Sequence, residues 1–221
     1  MLPVDASHQN SLLAHWLSPE FAAQFITHDW TPEVLYSPGQ PGRFEDALTD
    51  SGFLELVHML ARGAHPSLRC TERAAYAETR KSSQIFYANA ADKDCWASLE
   101  ALSADCVEGR TLICESVQRN IKSVEGICRR LLRETGEWCA ANAYFSPASG
   151  RVGLDWHYDC WDVFVLQLAG SKVWRIFTGE NELPVDRVDF TAPPRDIPIE
   201  ETVAYTMTAG DLLYLPRGTW H

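Results

Sequence analysis

The chain has 221 residues, of which 46% are hydrophobic and 22% are charged. A globular chain of this length and composition buries enough surface to form its own core, which excludes disordered, collagen-like and coiled-coil proteins. The net charge of −11, from 30 acidic and 19 basic residues, opposes nucleic-acid binding, and no apolar run reaches the ~20 residues of a membrane span.

The cysteines and the first residues of the chain bear on its compartment. The seven cysteines are an odd number, and no C-x-x-C motif occurs. The first residues lack the basic and apolar regions of a signal peptide. We therefore expect reduced, mostly buried thiols in a cytoplasmic protein, and we expect none of these cysteines to act as a nucleophile.

Helices and short strands mix in the part of the chain before Gly136. Pro19 stands at the first position of one helix candidate, and Gly136 follows another as a stop signal. Apolar residues at helical spacing predict helices from residue 18 and over 53–60, 96–102 and 121–132, and β-rich runs predict strands over 84–88 and 110–114.

After Gly136 the pattern becomes that of a β protein. Strands are predicted over 138–145, 162–168, 172–177, 203–207 and 212–215. Gly170-Ser171 predicts a hairpin between the second and third of these strands, and residues 208–211 predict a turn that pairs the last two. We predict a mainly β protein, a sandwich or small barrel with a helical N-terminal portion. Residues 1–221 would form a single domain, with helical and mixed structure over about 1–136 and site-bearing strands over about 137–221.

The segment Asp155-Trp156-His157-Tyr158-Asp159 contains the first candidate metal ligands. On a strand, residues two apart face the same side, so His157 and Asp159 would converge. One imidazole and one carboxylate make two-thirds of a facial metal triad. The alternative for this short motif is a hydrogen-bonded histidine beside a solvated aspartate.

The third candidate ligand is His221. The run Gly210-Asp211-Leu212-Leu213-Tyr214-Leu215-Pro216-Arg217-Gly218-Thr219-Trp220-His221 reads G-x5-P-x-G-x2-H. It predicts a turn, a strand and a Pro-x-Gly reversal that aims one imidazole into the mouth of the barrel. The alternative is an ordinary hairpin with a terminal histidine. Ligand type, spacing and strand context together favour a metal site.

Several motifs together resemble the JmjC-type cupins, in particular their ribosomal-oxygenase-like branch. They are His157-x-Asp159, Val163-Phe164-Val165-Leu166-Gln167-Leu168-x-Gly170-x-Lys172-x-Trp174, the motif from Gly210 to His221, and Asn142-Ala143-Tyr144-Phe145-Ser146-Pro147. The resemblance covers about residues 138–221. It implies a double-stranded β-helix that binds Fe(II) and the cosubstrate 2-oxoglutarate and hydroxylates side chains of proteins. No catalytic side chain is implied beyond the metal ligands.

The same resemblance assigns cosubstrate-binding residues. Lys172 matches the lysine that pairs with the distal carboxylate of 2-oxoglutarate, and by strand parity it faces the same way as Trp174 and Ile176. The alternative is a solvated lysine beside a turn. Asn142 and Tyr144 share one strand face and could hydrogen-bond the same ligand, or they could simply satisfy polar groups at the barrel rim.

Partners and rival functions follow from charge and family. The acidic surface suits a basic protein or peptide substrate, such as a ribosomal protein, and we expect no direct nucleic-acid or membrane partner. Because the resemblance implies a further strand after His221, we expect a chain truncated at its C-terminus and a homodimer formed through the missing region. The rivals are a peptide-tailoring hydroxylase of a biosynthetic pathway and a non-oxidative metal-binding cupin that acts as a sensor or scaffold.

Overall fold

The computed structural model describes residues 11–17, 19–27, 33–48, 68–71, 86–87, 96–97, 107, 109, 111–148, 154, 156–179 and 197–221. Three helices are described along their length: α1 (Leu12–Trp16), α2 (Pro19–Ile26) and α3 (Lys122–Thr135). The strands are β1 (Leu35–Ser37), β2 (Leu68–Thr71), β3 (Phe86–Tyr87), β4 (Trp96–Ala97), β5 (Thr111–Cys114), β6 (Ala143–Phe145), β7 (Val163–Leu166), β8 (Ser171–Phe177), β9 (Thr202–Thr208) and β10 (Leu212–Leu215). The described part of the chain is thus mostly strand with few helices, as predicted.

Backbone contacts divide the chain into two compact units. The first comprises Met1–Ala47, Ile127–Cys139 and His157–His221, and the second comprises Leu48–Gly126 and Ala140–Trp156. In the second unit, β5 pairs antiparallel with β2 and β6, and β3 pairs with β4. All three candidate metal ligands belong to the first unit.

The first unit contains two antiparallel sheets. In one of them β10 lies between β1 and β7, and in the other β8 pairs with β9 along seven residues. Leu213 and Leu215 of β10 pack in one cluster with Ile176 of β8 and Met207 of β9. The two sheets therefore share a core, as the predicted sandwich or small barrel requires.

Strand β10 is buried on both faces. Leu212 and Tyr214 pack in a second cluster with residues of α1 and α2, while the alternate residues Leu213 and Leu215 face the other sheet. Four consecutive buried residues are what a central strand covered on both sides requires. The alternation of β10 residues between the two clusters thus places the G-x5-P segment in the middle of the unit.

Helices α2 and α3 were predicted from the sequence and are present. In α3 the residues Val124, Cys128 and Leu131 are buried, and Gly136 follows the helix with a positive φ of 75°. The exposed Leu132 departs from the predicted apolar face. Strands β5, β7, β8, β9 and β10 lie within one or two residues of their predicted bounds, whereas the helix predicted over 53–60 lies outside the described residues.

Several predicted elements are wrong. Residues 96–97 form a strand and not the start of a helix, and the strand predicted over 138–145 is limited to Ala143–Phe145. The predicted β7–β8 and β9–β10 hairpins do not form, because β7 pairs with β10 and β8 pairs with β9. Gly170 does turn the chain, with a positive φ of 64°, but the turn leads from one sheet to the other.

None of the described helices is long and apolar enough to cross a membrane.

Candidate metal centre

The H-x-D segment and the G-x5-P-x-G-x2-H motif are joined through their backbones. The His157 N–H donates to the His221 carbonyl at 3.0 Å, and the His221 N–H donates to the His157 carbonyl at 2.8 Å. The Gly218 N–H donates to the Asp159 carbonyl at 2.8 Å. Residues 157–159 are not part of a β-strand, so that prediction is wrong. The reciprocal bonds nevertheless pair the two ligand-bearing segments as an antiparallel ladder would.

The Pro-x-Gly turn delivers His221 to this pairing. Gly218 has a positive φ of 82°, a conformation that glycine adopts at little cost, and the Thr219 N–H donates to the Pro216 carbonyl at 3.1 Å. The Phe177 N–H, at the end of β8, donates to the Trp220 carbonyl at 3.0 Å. His221 is therefore held by the H-x-D segment and by β8 together.

The three predicted ligands converge. One ligand atom from each of His157, Asp159 and His221 lies within 4.8 Å of the others, and the two imidazole centroids are 4.3 Å apart. Asp159 Oδ2 and His221 Nε2 are 4.0 Å apart. Neighbouring ligand atoms that each lie about 2.0–2.2 Å from a shared ion are about 3–3.5 Å apart, so the three side chains would close around an ion by about 1 Å. Two imidazoles and one carboxylate with an open side are the donor set of a facial triad.

Burial and a hydrogen bond prepare His221 as a ligand. Burial, together with the smaller effect of the neighbouring His157, lowers the pKa of His221 to about 4. Its Nδ1 lies 2.8 Å from the Thr219 carbonyl, so the neutral ring carries its proton on Nδ1. The lone pair then resides on Nε2, which faces Asp159. A backbone carbonyl that accepts from the other ring nitrogen and so fixes the tautomer is a common feature of metal-ligating histidines.

Lys172 and Trp174 lie on the inward face of β8. Exposure alternates along the strand, and Lys172 is paired with the fully buried Met207 of β9. The Trp174 ring is 5.6 Å from the His221 ring, and Lys172 Nζ is 6.0 Å from the Trp174 ring centroid. Lys172, Trp174 and Ile176 share one face of β8, as their strand parity predicted, and this face points inward.

This face of β8 is rich in hydrogen-bond donors. Burial lowers the pKa of Lys172, since the charged ammonium is disfavoured away from water. The Trp174 Nε1–H is buried and has no hydrogen-bond partner among the described residues. A desolvated ammonium and an orphaned donor beside a metal triad fit an anionic ligand such as a dicarboxylate.

Asn142 and Tyr144 belong to the second unit. The Asn142 side-chain oxygen accepts a hydrogen bond from the Ser116 N–H at 2.9 Å, and Ser116 has a left-handed backbone with φ 55°. Tyr144 is half-exposed on β6 opposite Ile113. The described contact of Asn142 matches the alternative of polar satisfaction, and a role for either residue in cosubstrate binding stays a prediction.

Sequence reasoning missed two contributors to this site. The first is the carbonyl of Thr219, which no side-chain motif can reveal. The second is Asp162, whose carboxylate accepts from the Tyr214 hydroxyl at 2.6 Å and from the Arg217 N–H at 3.4 Å. The sequence did contain a signal for this pair. It is an acidic residue shortly after H-x-D together with a tyrosine in the apolar strand of the second motif.

The part of the chain that contains the candidate ligands is similar to a known protein family. Residues 116–221 match the family model of the JmjC domain. This part of the chain is similar to a JmjC domain. All three candidate ligands lie inside the matched region, and the resemblance to the ribosomal-oxygenase-like branch, predicted from the motifs, is confirmed by the relatives.

The relatives are ribosomal oxygenases and a related demethylase–hydroxylase. Ribosomal oxygenase 2 of Bos taurus is 41% identical over 86 residues, which are 39% of this chain and 18% of the relative. The bifunctional lysine-specific demethylase and histidyl-hydroxylase NO66 of Dictyostelium discoideum is 42% identical over 83 residues, which are 37% of this chain and 16% of the relative. Ribosomal oxygenase 1 of Gallus gallus is 27% identical over 225 residues, which are 98% of this chain and 35% of the relative. The chain thus spans about a third or less of the length of these relatives.

Proposed function

We propose that this JmjC domain is an oxygenase that binds Fe(II) through His157, Asp159 and His221 and uses 2-oxoglutarate to hydroxylate a side chain of a protein or peptide. The observation that carries the proposal is the convergence of the three ligand atoms within 4.8 Å beside the inward-facing Lys172. The JmjC match and the names of the relatives support the same chemistry. The two packed sheets are consistent with a double-stranded β-helix, which we propose as the complete fold.

The protein residues bind and orient the reactants. Bound Fe(II) would activate oxygen, and 2-oxoglutarate would supply two electrons as it is oxidised to succinate and carbon dioxide. His157, Asp159 and His221 would hold the metal on one side and leave the opposite positions for other ligands. Lys172 would pair with the distal carboxylate, and its partly dry surroundings would strengthen that ion pair.

Accessibility differs among the ligands. The Asp159 side chain is 43% exposed, whereas the His221 side chain is only 5% exposed. A substrate can therefore approach on the Asp159 side, while β8 and the Pro-x-Gly turn close the His221 side. This asymmetry suits an enzyme that must admit a polypeptide side chain and still exclude bulk water from the metal.

The substrate class is proposed from charge. A net charge of −11 favours encounter with basic polypeptides. The relatives include ribosomal oxygenases, so a basic ribosomal protein is the substrate to test first. A peptide of a biosynthetic pathway would meet the same chemistry at the same site.

The decisive experiment follows the metal and the cosubstrate directly. Anaerobic addition of Fe(II) and 2-oxoglutarate to the protein should produce a visible metal-to-ligand charge-transfer band. His157→Ala and Asp159→Ala should abolish the band because each removes one ligand. His15→Ala and Asp46→Ala are matched controls, since both residues are exposed and neither belongs to the triad. They should leave the band unchanged.

Two further results separate this function from its rivals. With oxygen present, succinate formation and the mass of one added oxygen atom on a basic peptide would identify a hydroxylase. A protein that binds Zn(II) at the triad but shows no band with Fe(II) and 2-oxoglutarate would contradict the oxygenase and support a non-oxidative cupin.

A further inference from the structure

A side-chain hydrogen bond joins the two ligand-bearing segments beyond the metal triad. Asp162 follows the H-x-D segment directly before β7, and Tyr214 stands in the middle of β10. The Tyr214 hydroxyl donates to Asp162 Oδ1 at 2.6 Å, and the same oxygen accepts from the Arg217 N–H of the Pro-x-Gly turn. Asp162 thus contacts both the strand that leads to the turn and the turn that delivers His221.

The Tyr214 side chain is immobilised by its surroundings. It is fully buried, and its ring packs 4.9 Å from the Phe25 ring and 5.2 Å from the Phe164 ring. Burial, together with the Asp162 hydrogen bond, raises the pKa of Tyr214, so the hydroxyl keeps its proton as a donor. A short hydrogen bond from a fixed phenol to a carboxylate places that carboxylate with little freedom.

Backbone bonds and ring contacts also connect the two segments. They include the reciprocal pair of His157 and His221, the bond from Gly218 to Asp159 and the edge-to-face contact of Tyr158 with Trp220 at 4.8 Å. These contacts hold the segments together, whereas a charge-assisted hydrogen bond between two side chains is strong only at one donor–acceptor geometry. The side-chain bond of Asp162 is specific to one register. Metal ligands must be held within about 0.5 Å of their binding geometry, so the register matters.

We propose that Asp162 and Tyr214 are positioning residues that set the register between the H-x-D segment and the His221 turn and thereby set the affinity of the triad for its metal. This inference rests on the proposed function, since it requires a divalent metal at His157, Asp159 and His221. It assigns a role to two side chains that do not touch the metal.

The same unit contains a matched control. Tyr36 of β1 donates to Asp211 Oδ2 at 2.9 Å, and this carboxylate also accepts from the Gly39 and Thr208 N–H groups. Its hydrogen bonds fasten the turn between β9 and β10 to the β1 segment, at the opposite end of β10 from the Pro-x-Gly turn. Tyr36→Phe and Tyr214→Phe therefore each remove one hydroxyl from a tyrosine–carboxylate pair, but only the second pair contacts the ligand-bearing turn.

The test is an anaerobic titration with Co(II), whose visible absorption reports ligation without any turnover. Tyr214→Phe should raise the dissociation constant for Co(II) about tenfold, as loss of outer-shell positioning does in other metal sites. Tyr36→Phe should leave it within about twofold of the wild type. Asp162→Asn retains an acceptor oxygen for Tyr214 and should keep most of the affinity that Asp162→Ala loses.

The outcomes separate the two proposals. Absence of Co(II) binding in the wild type would overturn the proposed function. Binding by the wild type with unchanged affinity in Tyr214→Phe and Asp162→Ala would overturn only the positioning role. Equal losses in Tyr214→Phe and Tyr36→Phe would also overturn it, because they would reflect general stability. Thermal unfolding without metal identifies any variant that does not fold, and the Asp162 variants then decide the question.

Discussion

The residues of the candidate centre differ in surroundings as much as in type. His221 is enclosed and neutral, with its tautomer set by the Thr219 carbonyl, whereas Asp159 keeps a large exposed fraction. Lys172 is an ammonium partly removed from water on the same side of β8 as Trp174. The neutral His221 ring thus presents its Nε2 before a metal arrives, which reduces the cost of reorganisation on binding.

Lys172 gives the sharpest prediction at this scale. Lys172→Ala should weaken 2-oxoglutarate binding at least tenfold, because losing one partner of a buried charge pair costs about 2–5 kcal/mol. Fe(II) affinity should change little, since Lys172 is not a ligand. Lys172→Arg should retain part of the affinity, although the planar guanidinium approaches a carboxylate differently. The measurement is titration of the charge-transfer band with 2-oxoglutarate at fixed Fe(II).

Arg175 is the control for that titration. It carries the same charge on the same strand but lies exposed on the opposite face of β8. Arg175→Ala should leave 2-oxoglutarate affinity near that of the wild type. Equal effects of the two substitutions would show that Lys172 acts only through the total charge.

Asp211 provides a prediction on stability and pH. Burial raises the pKa of Asp211, but hydrogen bonds from Thr208, Gly39 and Tyr36 outweigh that effect and hold it below its ordinary value. A carboxylate with a lowered folded pKa stabilises the protein above its unfolded pKa, and this contribution is lost as the pH falls through the folded pKa. Asp211→Asn should reduce the free energy of unfolding by about 2 kcal/mol near pH 7.

The pH dependence of this destabilisation tests whether the ionised Asp211 carboxylate causes it. The difference between the wild type and Asp211→Asn should shrink as the pH falls below about 4, because the wild-type carboxylate becomes protonated. Urea unfolding at several pH values measures it. The exposed Asp46→Asn serves as a control for the loss of one negative charge. A difference that stays constant down to about pH 2 would assign the effect to packing.

At the scale of elements, helix α1 depends on a side chain from α3. The Glu134 carboxylate accepts from the Leu12 and Leu13 N–H groups at 2.7 and 3.2 Å, and from the Ser11 hydroxyl at 2.8 Å. The Ser11 oxygen in turn accepts from the Ala14 N–H at 3.2 Å. A helix of five residues is too short to be stable alone, so this capping and the burial of its apolar residues sustain it.

Glu134→Ala should therefore loosen α1 selectively. The amides of residues 12–16 should lose hydrogen-exchange protection while those of β10 keep theirs, and the free energy of unfolding should fall by about 1–2 kcal/mol. Glu134→Gln, which keeps one acceptor oxygen, should show a smaller effect. Exchange measured by mass spectrometry on peptides that cover α1 and β10 tests this, with the exposed Glu45→Ala as control. Unchanged exchange in α1 would show that packing alone holds the helix.

The pairing of strands marks the limit of what the sequence could predict. Strands β7 to β10 were located well because apolar runs and turn residues are local signals. The strands with which they pair were not predicted correctly. Gly170 and residues 208–211 are compatible with hairpins, but they are equally compatible with turns that lead from one sheet to another. In the structure β10 is buried on both faces and is the central strand of its sheet, with β7 and β1 as neighbours. That burial depends on helices and strands distant in sequence, which no local pattern reveals.

The candidate metal ligands were predicted better than the pairing of the strands, and the reason is physical. Metal ligands must be specific residue types, and the turn that delivers His221 needs Pro216 and Gly218, so spacing and identity together were informative. The partners that tune the ligands are a backbone carbonyl and a buried tyrosine–aspartate pair. Backbone carbonyls and core residues occur along the whole chain. Only the fold shows which of them lie close to the candidate metal ligands.

At the scale of the whole molecule, charge is the property that bears on the partner. With a net charge of −11, the protein should attract a basic polypeptide before any specific contact forms. The partly exposed Asp159 shows that the candidate centre opens to solvent and is therefore within reach of such a polypeptide. Electrostatic attraction of this kind mainly raises the association rate, while in the proposed reaction the fit at the candidate metal centre would determine which side chain reacts.

The affinity for a basic polypeptide should therefore depend on the salt concentration. A fluorescent basic peptide should bind the Co(II)-loaded protein with a dissociation constant that rises at least about tenfold between about 0.1 and 1 M NaCl, where the Debye length falls from about 10 Å to about 3 Å. The same peptide with glutamine in place of its lysines and arginines should bind weakly at every salt concentration. Fluorescence anisotropy measures both. Binding that is insensitive to salt, or equal for the two peptides, would contradict recognition by charge, since screening acts only on charge–charge attraction.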